Sequence, residues 1–259
     1  MKRFLVFPMI LIVTLACSTP VERPAGPTQD HGYVRAAVDL MQAVKDGQST
    51  TGLQELLAQA DPKKLSEELT NDDLRRTFWI NVYNAYIIIL LSDDPSLFDD
   101  RGDFFKADRI TIAGQPLSFD MVEHGILRRS KNKLSLGFLQ KVVVPDFEKL
   151  FRVDEVDARI HFALNCGAKS CPPVRVYHPG KVNEELDANS RYYLQKATTV
   201  EDDDVLTTTL FSWFRADFGD RGGITAYLRR YEAIPASLED PSIDFDDYDW
   251  TLDIDNFVK

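Results

Sequence analysis

The chain has 259 residues, 44% of them hydrophobic and 11% aromatic, and sets 30 Lys and Arg against 41 Asp and Glu for a formal net charge of −11. That is enough apolar content for one well-cored domain. The acidic balance makes nucleic acid and anionic lipid poor partners for the surface as a whole, because phosphate groups are held by clustered positive charge.

Met1-Lys2-Arg3 is a short basic head, and Phe4 to Ala16 is almost purely apolar before Cys17-Ser18-Thr19-Pro20. A run of about 13 apolar residues is shorter than the roughly 20 a spanning helix needs, so residues 1–16 read as a signal peptide. The Cys placed just after small Ala16 resembles the acylated Cys of a bacterial lipobox, although Thr14 and Leu15 depart from the usual pattern. On this reading Cys17 carries lipid, which anchors the protein to a membrane in the cell envelope, facing the periplasm or exterior. Residues 17–32 are rich in Pro, Gly and small polar residues and read as a flexible tether.

Residues 33–259 read as a single helix-rich α+β globular domain with a small sheet. Val34, Val38, Met41 and Val44 recur at helical spacing, as do Leu53, Leu56 and Leu57 after a Gly-containing break. Cap formers Thr70-Asn71-Asp72-Asp73 precede an apolar run through Phe78-Trp79-Ile80 to Leu91, predicting a helix buried on nearly all sides. Arg109 to Pro116 alternates and ends in a turn, predicting a strand or hairpin arm, and Val142-Val143-Val144 is a further strand candidate. A helix is expected from Ser118 to the basic Arg128-Arg129. Arg159 to Asn165 fits either a strand or a helix capped by Asp157. Glu184 to Gln195, Leu210 to Asp217 and Gly223 to Tyr231 read as helices.

The chemistry concentrates in His161-Phe162-Ala163-Leu164-Asn165-Cys166-Gly167, followed by Ser170-Cys171-Pro172-Pro173. In an oxidising compartment two nearby thiols default to a disulfide, and Gly167 supplies the turn. The alternative makes Cys171 or Cys166 a nucleophile with His161 as base and a carboxylate such as Glu123 orienting it. A zinc reading of His161, Cys166, Cys171 and His178 fits no common ligand spacing, so neither metal nor cofactor is expected. Asn81 and Asn84 lie on one face of the buried helix, either pinning a loop or lining a pocket. The Asp cluster from Asp244 to Asp249 reads as a solvated edge. Trp213, Phe214, Phe218, Tyr248 and Trp250 are either core or a stacking surface for a ligand.

Together these blocks resemble the domain of unknown function 547 family: Trp79 to Ala85, Glu123 to Arg128, His161 to Cys166 with Ser170 to Pro173, Phe211 to Phe218, and Tyr248-Asp249-Trp250. The resemblance spans roughly residues 70 to 255. It implies a single domain and one site marked by Asn81, Asn84, Glu123, His161, Cys166 and Cys171, without an established activity. Two readings of function follow. One is a Cys/His-dependent hydrolase or acyl transferase acting on peptide or amide bonds of envelope material. The other is a non-catalytic binding or scaffold lipoprotein with a structural Cys166–Cys171 disulfide.

Overall fold

A computed structural model describes residues 32–238 and 240–258. The expected signal peptide over 1–16, Cys17 and the expected tether up to His31 lie outside these residues. Four helices come first: α1 (Gly32–Lys45), α2 (Thr51–Ala58), α3 (Pro62–Glu68) and α4 (Asp72–Asp93). Asn71 caps α4 as its sequence predicts, the side-chain oxygen accepting the Leu74 N–H at 3.0 Å. All residues from Leu74 to Ile88 are buried, so α4 is the spine of the domain, and α1 packs along it. No helix of the described residues is long and apolar enough to cross a membrane.

After α5 (Arg101–Lys106) comes the expected hairpin, β1 (Ile110–Ile112) paired antiparallel with β2 (Gln115–Leu117). Ala113 and Gly114 between them both have positive φ, 51° and 73°, the backbone a two-residue hairpin turn requires. The helix expected from Ser118 is a π-helix, Met121–Leu127, entered by a hydrogen bond from the Met121 N–H to Ser118 Oγ. The wider winding continues past it: the Arg128 N–H reaches the Glu123 carbonyl at 2.8 Å, and the Ser130 N–H reaches that of Gly125 at 2.7 Å. Gly125 lets this turn lie against buried Glu148 on α6 (Asp146–Phe151), since a Cβ there would stand 2.6 Å from Glu148 Oε2.

Val142-Val143-Val144 forms no strand. It lies in a surface loop with Val142 99% and Val143 83% exposed. No neighbouring strand is available there, and β-branched residues alone do not make a strand without a partner. The ambiguous segment at Arg159 resolves as a 3-10 helix, Ala158–Phe162, with Asp157 capping the Arg159 N–H.

The C-terminal half carries α7 (Val182–Lys196), β3 (Thr199–Glu201), β4 (Asp204–Thr207), α8 (Leu210–Trp213), α9 (Arg215–Phe218), α10 (Asp220–Arg230) and β5 (Ser242–Phe245). The last three strands form a second small sheet in the order β3-β4-β5, with β3 and β4 antiparallel and β4 and β5 parallel. No strand is expected from the sequence at β3, β4 or β5, and acidic Asp202-Asp203-Asp204 spans the turn between β3 and β4 and the start of β4. Two hydrophobic clusters result. The larger surrounds α4, and the smaller joins Phe162 to Phe211, Phe218 and Leu228. Tyr248 packs against both. Beyond it the C-terminal tail straps down the cysteine loop, the N–H groups of Lys169 and Val174 bonding to the carbonyls of Thr251 and Asn256, and the Asp253 N–H to that of Gly167.

Candidate functional site

A cavity of about 300 Å³ opens where the π-helix, the 3-10 turn, α8 and the C-terminal tail meet. Six aromatic residues, Tyr83, Phe105, Trp213, Phe214, Tyr248 and Trp250, line it together with aliphatic Leu136, Leu164, Pro172 and Leu210. The polar groups among them are Asp120, Glu123, His124, Lys133 and His161, and Cys166 completes one wall. Apolar walls with a few convergent polar groups are the usual make-up of a small-molecule site.

The 3-10 turn places His161 against α9. Its Nε2 lies 2.8 Å from Asp217 Oδ2, and its ring stacks on Phe214 with centroids 3.7 Å apart. Arg128 Nε reaches the same carboxylate oxygen at 2.6 Å, while Arg128 Nη1 lies 2.9 Å from His124 Nδ1. A guanidinium only donates, so His124 Nδ1 accepts and its proton sits on Nε2. By the same logic His161 donates Nε2–H to Asp217, which leaves Nδ1 with the lone pair. Burial lowers the His161 pKa despite the neighbouring carboxylate, so the ring is neutral. Burial, aided by the Arg128 charge, takes His124 down to about 3. For Asp217 burial acts upward, but hydrogen bonds and charge from His161 and Arg128 outweigh it and hold the carboxyl at about 2. The result is an ionised Asp217 paired with Arg128 behind a neutral, oriented imidazole.

Glu123 enters from the π-helix. Its nearest polar neighbours are the Tyr83 hydroxyl at 3.5 Å from Oε2 and His124 Nδ1 at 3.6 Å from Oε1. Burial, then the charges of Glu123 and Asp120, raise the Tyr83 pKa well above its usual value, so the phenol keeps its proton. Asp120, one turn away, is engaged by Lys133 Nζ at 2.7 and 3.0 Å.

Cys166 and Cys171 form a disulfide, their Cα atoms 6.2 Å apart. Gly167, at φ 88°, makes the turn between them and lies so close to α4 that a Cβ would stand 2.7 Å from Leu91 Cδ1. The Tyr248 hydroxyl sits 3.3 Å from Cys166 Sγ and 3.1 Å from Cys171 Sγ. Neither sulfur is therefore a free nucleophile in this state. Cys166 lines the cavity, whereas Cys171 is 3% exposed behind it.

Glu123, His161 and Cys166 thus meet in one place, but two details differ from the sequence reading. The carboxylate that orients His161 is Asp217, brought by α9 from 56 residues away, not Glu123. Asn81 and Asn84 do not line the cavity. Asn81 exchanges both amide bonds with the Tyr177 backbone, at 2.7 and 3.0 Å. Asn84 donates to the Ala163 carbonyl and accepts the Asn165 N–H, both at 2.9 Å. They pin the segments flanking the cysteine loop. His178 lies elsewhere, its Nδ1 2.7 Å from Glu185. Among the described residues no group of three or more His, Cys, Asp and Glu side chains is arranged to hold a metal ion.

Asp217 and Arg128 were missed as site residues, although the blocks Phe211 to Phe218 and Glu123 to Arg128 contain them. Of the five aromatics weighed together, Phe218 is core. Phe214, Trp213, Tyr248 and Trp250 face the cavity, with the Trp213 and Trp250 rings stacked at 5.8 Å.

No curated protein and no solved structure matches the chain. Residues 67–194 match the family model described as "Protein of unknown function, DUF547", a span that holds α4, the π-helix, His161 and both bonded cysteines. Residues 67–194 are thus similar to that family over just under half of the chain, and the C-terminal walls of the cavity come from beyond the match.

Proposed function

We propose that the cavity binds a small organic ligand bearing an amine beside an aromatic or alkyl group, on a protein held in the cell envelope by lipid on Cys17. The observation that carries this reading is Glu123, a carboxyl group with only long contacts inside an aromatic box. A cationic amine would gain a charge-assisted hydrogen bond from Glu123 and attraction from the ring faces. Lys133 is already engaged by Asp120, so an anionic ligand finds less to bind. The test is titration of Trp fluorescence, which Trp213 and Trp250 would report, with phenethylamine and with phenylpropionate. Saturable binding of the amine alone, weakened roughly tenfold or more by Glu123→Gln, is expected. Equal response to both compounds would sink the idea.

A second reading, a Cys/His-dependent hydrolase or acyl transferase on peptide or amide bonds, draws support from His161 and Cys166 lining the same cavity with Asp217 behind the imidazole. It requires a dithiol reductant to supply two electrons and two protons, opening the disulfide to two thiols. Reduction should then let one cysteine react quickly with an alkylator near neutral pH, and slowly once His161 is replaced by Ala. Slow labelling of both thiols after reduction, unchanged in His161→Ala, would leave the disulfide as a clamp alone.

A further inference from the structure

The loop between the π-helix and α6 presents Leu136, Phe138, Leu139, Val142 and Val143 to solvent, from 47% exposed at Leu136 to 99% at Val142. Apolar side chains gathered in one exposed stretch mark an interaction surface more often than isolated ones do. The backbone holding them is tied down. The Asn132 N–H bonds to the Leu139 carbonyl at 2.7 Å, the Lys141 N–H to that of Ser130 at 2.8 Å, and the Ala216 N–H to that of Leu136 at 3.3 Å. The side chains are therefore held outward by a closed loop.

The charge of the stretch is opposite to that of the chain. From Arg128 to Pro145 the sequence carries Arg128, Arg129, Lys131, Lys133 and Lys141 and no Asp or Glu, within a protein of net charge −11. Arg128, Lys133 and Lys141 are matched by Asp217, Asp120 and Glu148, while Lys131 Nζ is held by the Gly137 carbonyl, an uncharged partner. Arg128 is buried, so the basic side chains that reach the surface beside the apolar ones are Arg129, Lys131, Lys133 and Lys141, and apolar residues next to basic ones suit the boundary between acyl chains and anionic headgroups. Fourteen residues lie between Cys17 and Gly32, where the described fold begins, so a lipid on Cys17 would keep the start of the fold within about 50 Å of the bilayer.

We infer that the loop at residues 136–143 is a membrane-docking element that inserts Phe138, Leu139, Val142 and Val143 into a lipid surface. Leu136 of this loop and nearby Lys133 line the cavity, so docking sets the cavity's mouth at the interface. The inference stands apart from the identity of the ligand, because it rests on residues outside the aromatic box.

Both described cores lie within residues 32–258, so the test uses the chain from Ser18 onward, which lacks the acylation residue, after its far-ultraviolet circular dichroism has shown it folded. That chain would be floated with vesicles of phosphatidylcholine alone and with vesicles about a quarter phosphatidylglycerol. It should elute as a monomer and float with the anionic vesicles. Phe138→Asp, Val142→Asp and Val143→Asp together should cut the bound fraction roughly tenfold, with the near-ultraviolet circular dichroism and the response to phenethylamine unchanged. Failure of the parent chain to float, or equal flotation of the variant, would overturn the inference. So would a dimer of the parent chain that the three Asp residues dissociate, which would assign the loop to a second copy instead.

Discussion

α4 and the π-helix pack against one another, and each carries polar side chains into an apolar setting with opposite outcomes. On α4, Asn81 and Asn84 use the donor and acceptor of each amide on backbone groups of the segments that flank the cysteine loop. On the π-helix, the polar contacts of the Glu123 carboxyl among the described residues are long, 3.5 Å to Tyr83 and 3.6 Å to His124, and Glu123 lines the cavity. A buried polar group whose hydrogen bonds are all made holds the fold, whereas one with capacity left over can receive a ligand.

The largest test of this contrast lies behind the cavity wall. Asp217→Ala removes the countercharge of Arg128 and the acceptor of His161, both buried, and should cost about 3–5 kcal/mol in chemical denaturation. A loss below about 1 kcal/mol would mean that the ion pair is not desolvated as described.

Acid should weaken the same region nearly as much. His124 is held at about 3 in the folded chain against an ordinary value near 6.5, so below that value the unfolded chain takes up a proton that the folded chain refuses. Stability should fall by about 1.4 kcal/mol per pH unit from pH 6.5 towards 3. Asp217, with a lowered pKa, adds stability above its unfolded value near 3.8, and that contribution disappears only as pH falls from there towards 2. A Tm that stays level between pH 6.5 and 4.5 would contradict a buried neutral His124. In His124→Gln the slope should flatten.

Asn84→Ala should cost about 2 kcal/mol, because the Ala163 carbonyl and the Asn165 N–H lose their partner. Opening the disulfide by Cys166→Ser with Cys171→Ser should cost a similar amount, about 2 kcal/mol from loop closure, while leaving the domain folded. At the other extreme, Glu123→Gln should shift stability by less than about 0.5 kcal/mol, since its own contacts are long, yet abolish the preference for an amine. If Glu123→Gln instead destabilised the protein as strongly as Asn84→Ala, the distinction between the two helices would fail.

Much of the scaffold was legible because it is written in short-range patterns. The 3.6-residue periodicity of α1, the Asn71 cap of α4 and the alternation with a turn at Ala113-Gly114 each specify a local conformation. Where a pattern was ambiguous, tertiary packing decided it. The Val142 to Val144 run had strand propensity without a partner strand, and the Ser118 helix widened where Gly125 meets Glu148. The site was half legible. His161 and the two cysteines stand out as rare residues in one short block, but Asp217 is one acidic residue among 41 Asp and Glu, and nothing local marks it as the partner of His161.

By itself, then, the sequence determined α1, α2, α4, α7 and α10, the hairpin, the α+β class and the block in which the cysteines lie within turn distance of each other. Only the tertiary structure decided which polar groups are satisfied, that α9 and the C-terminal tail close an aromatic cavity over His161, and that an acidic chain turns a basic, apolar loop outward. The reason is range. Helix periodicity, caps and turns act over a few residues, whereas desolvation and hydrogen-bond satisfaction depend on groups that chain folding brings together from 40 to 96 positions apart.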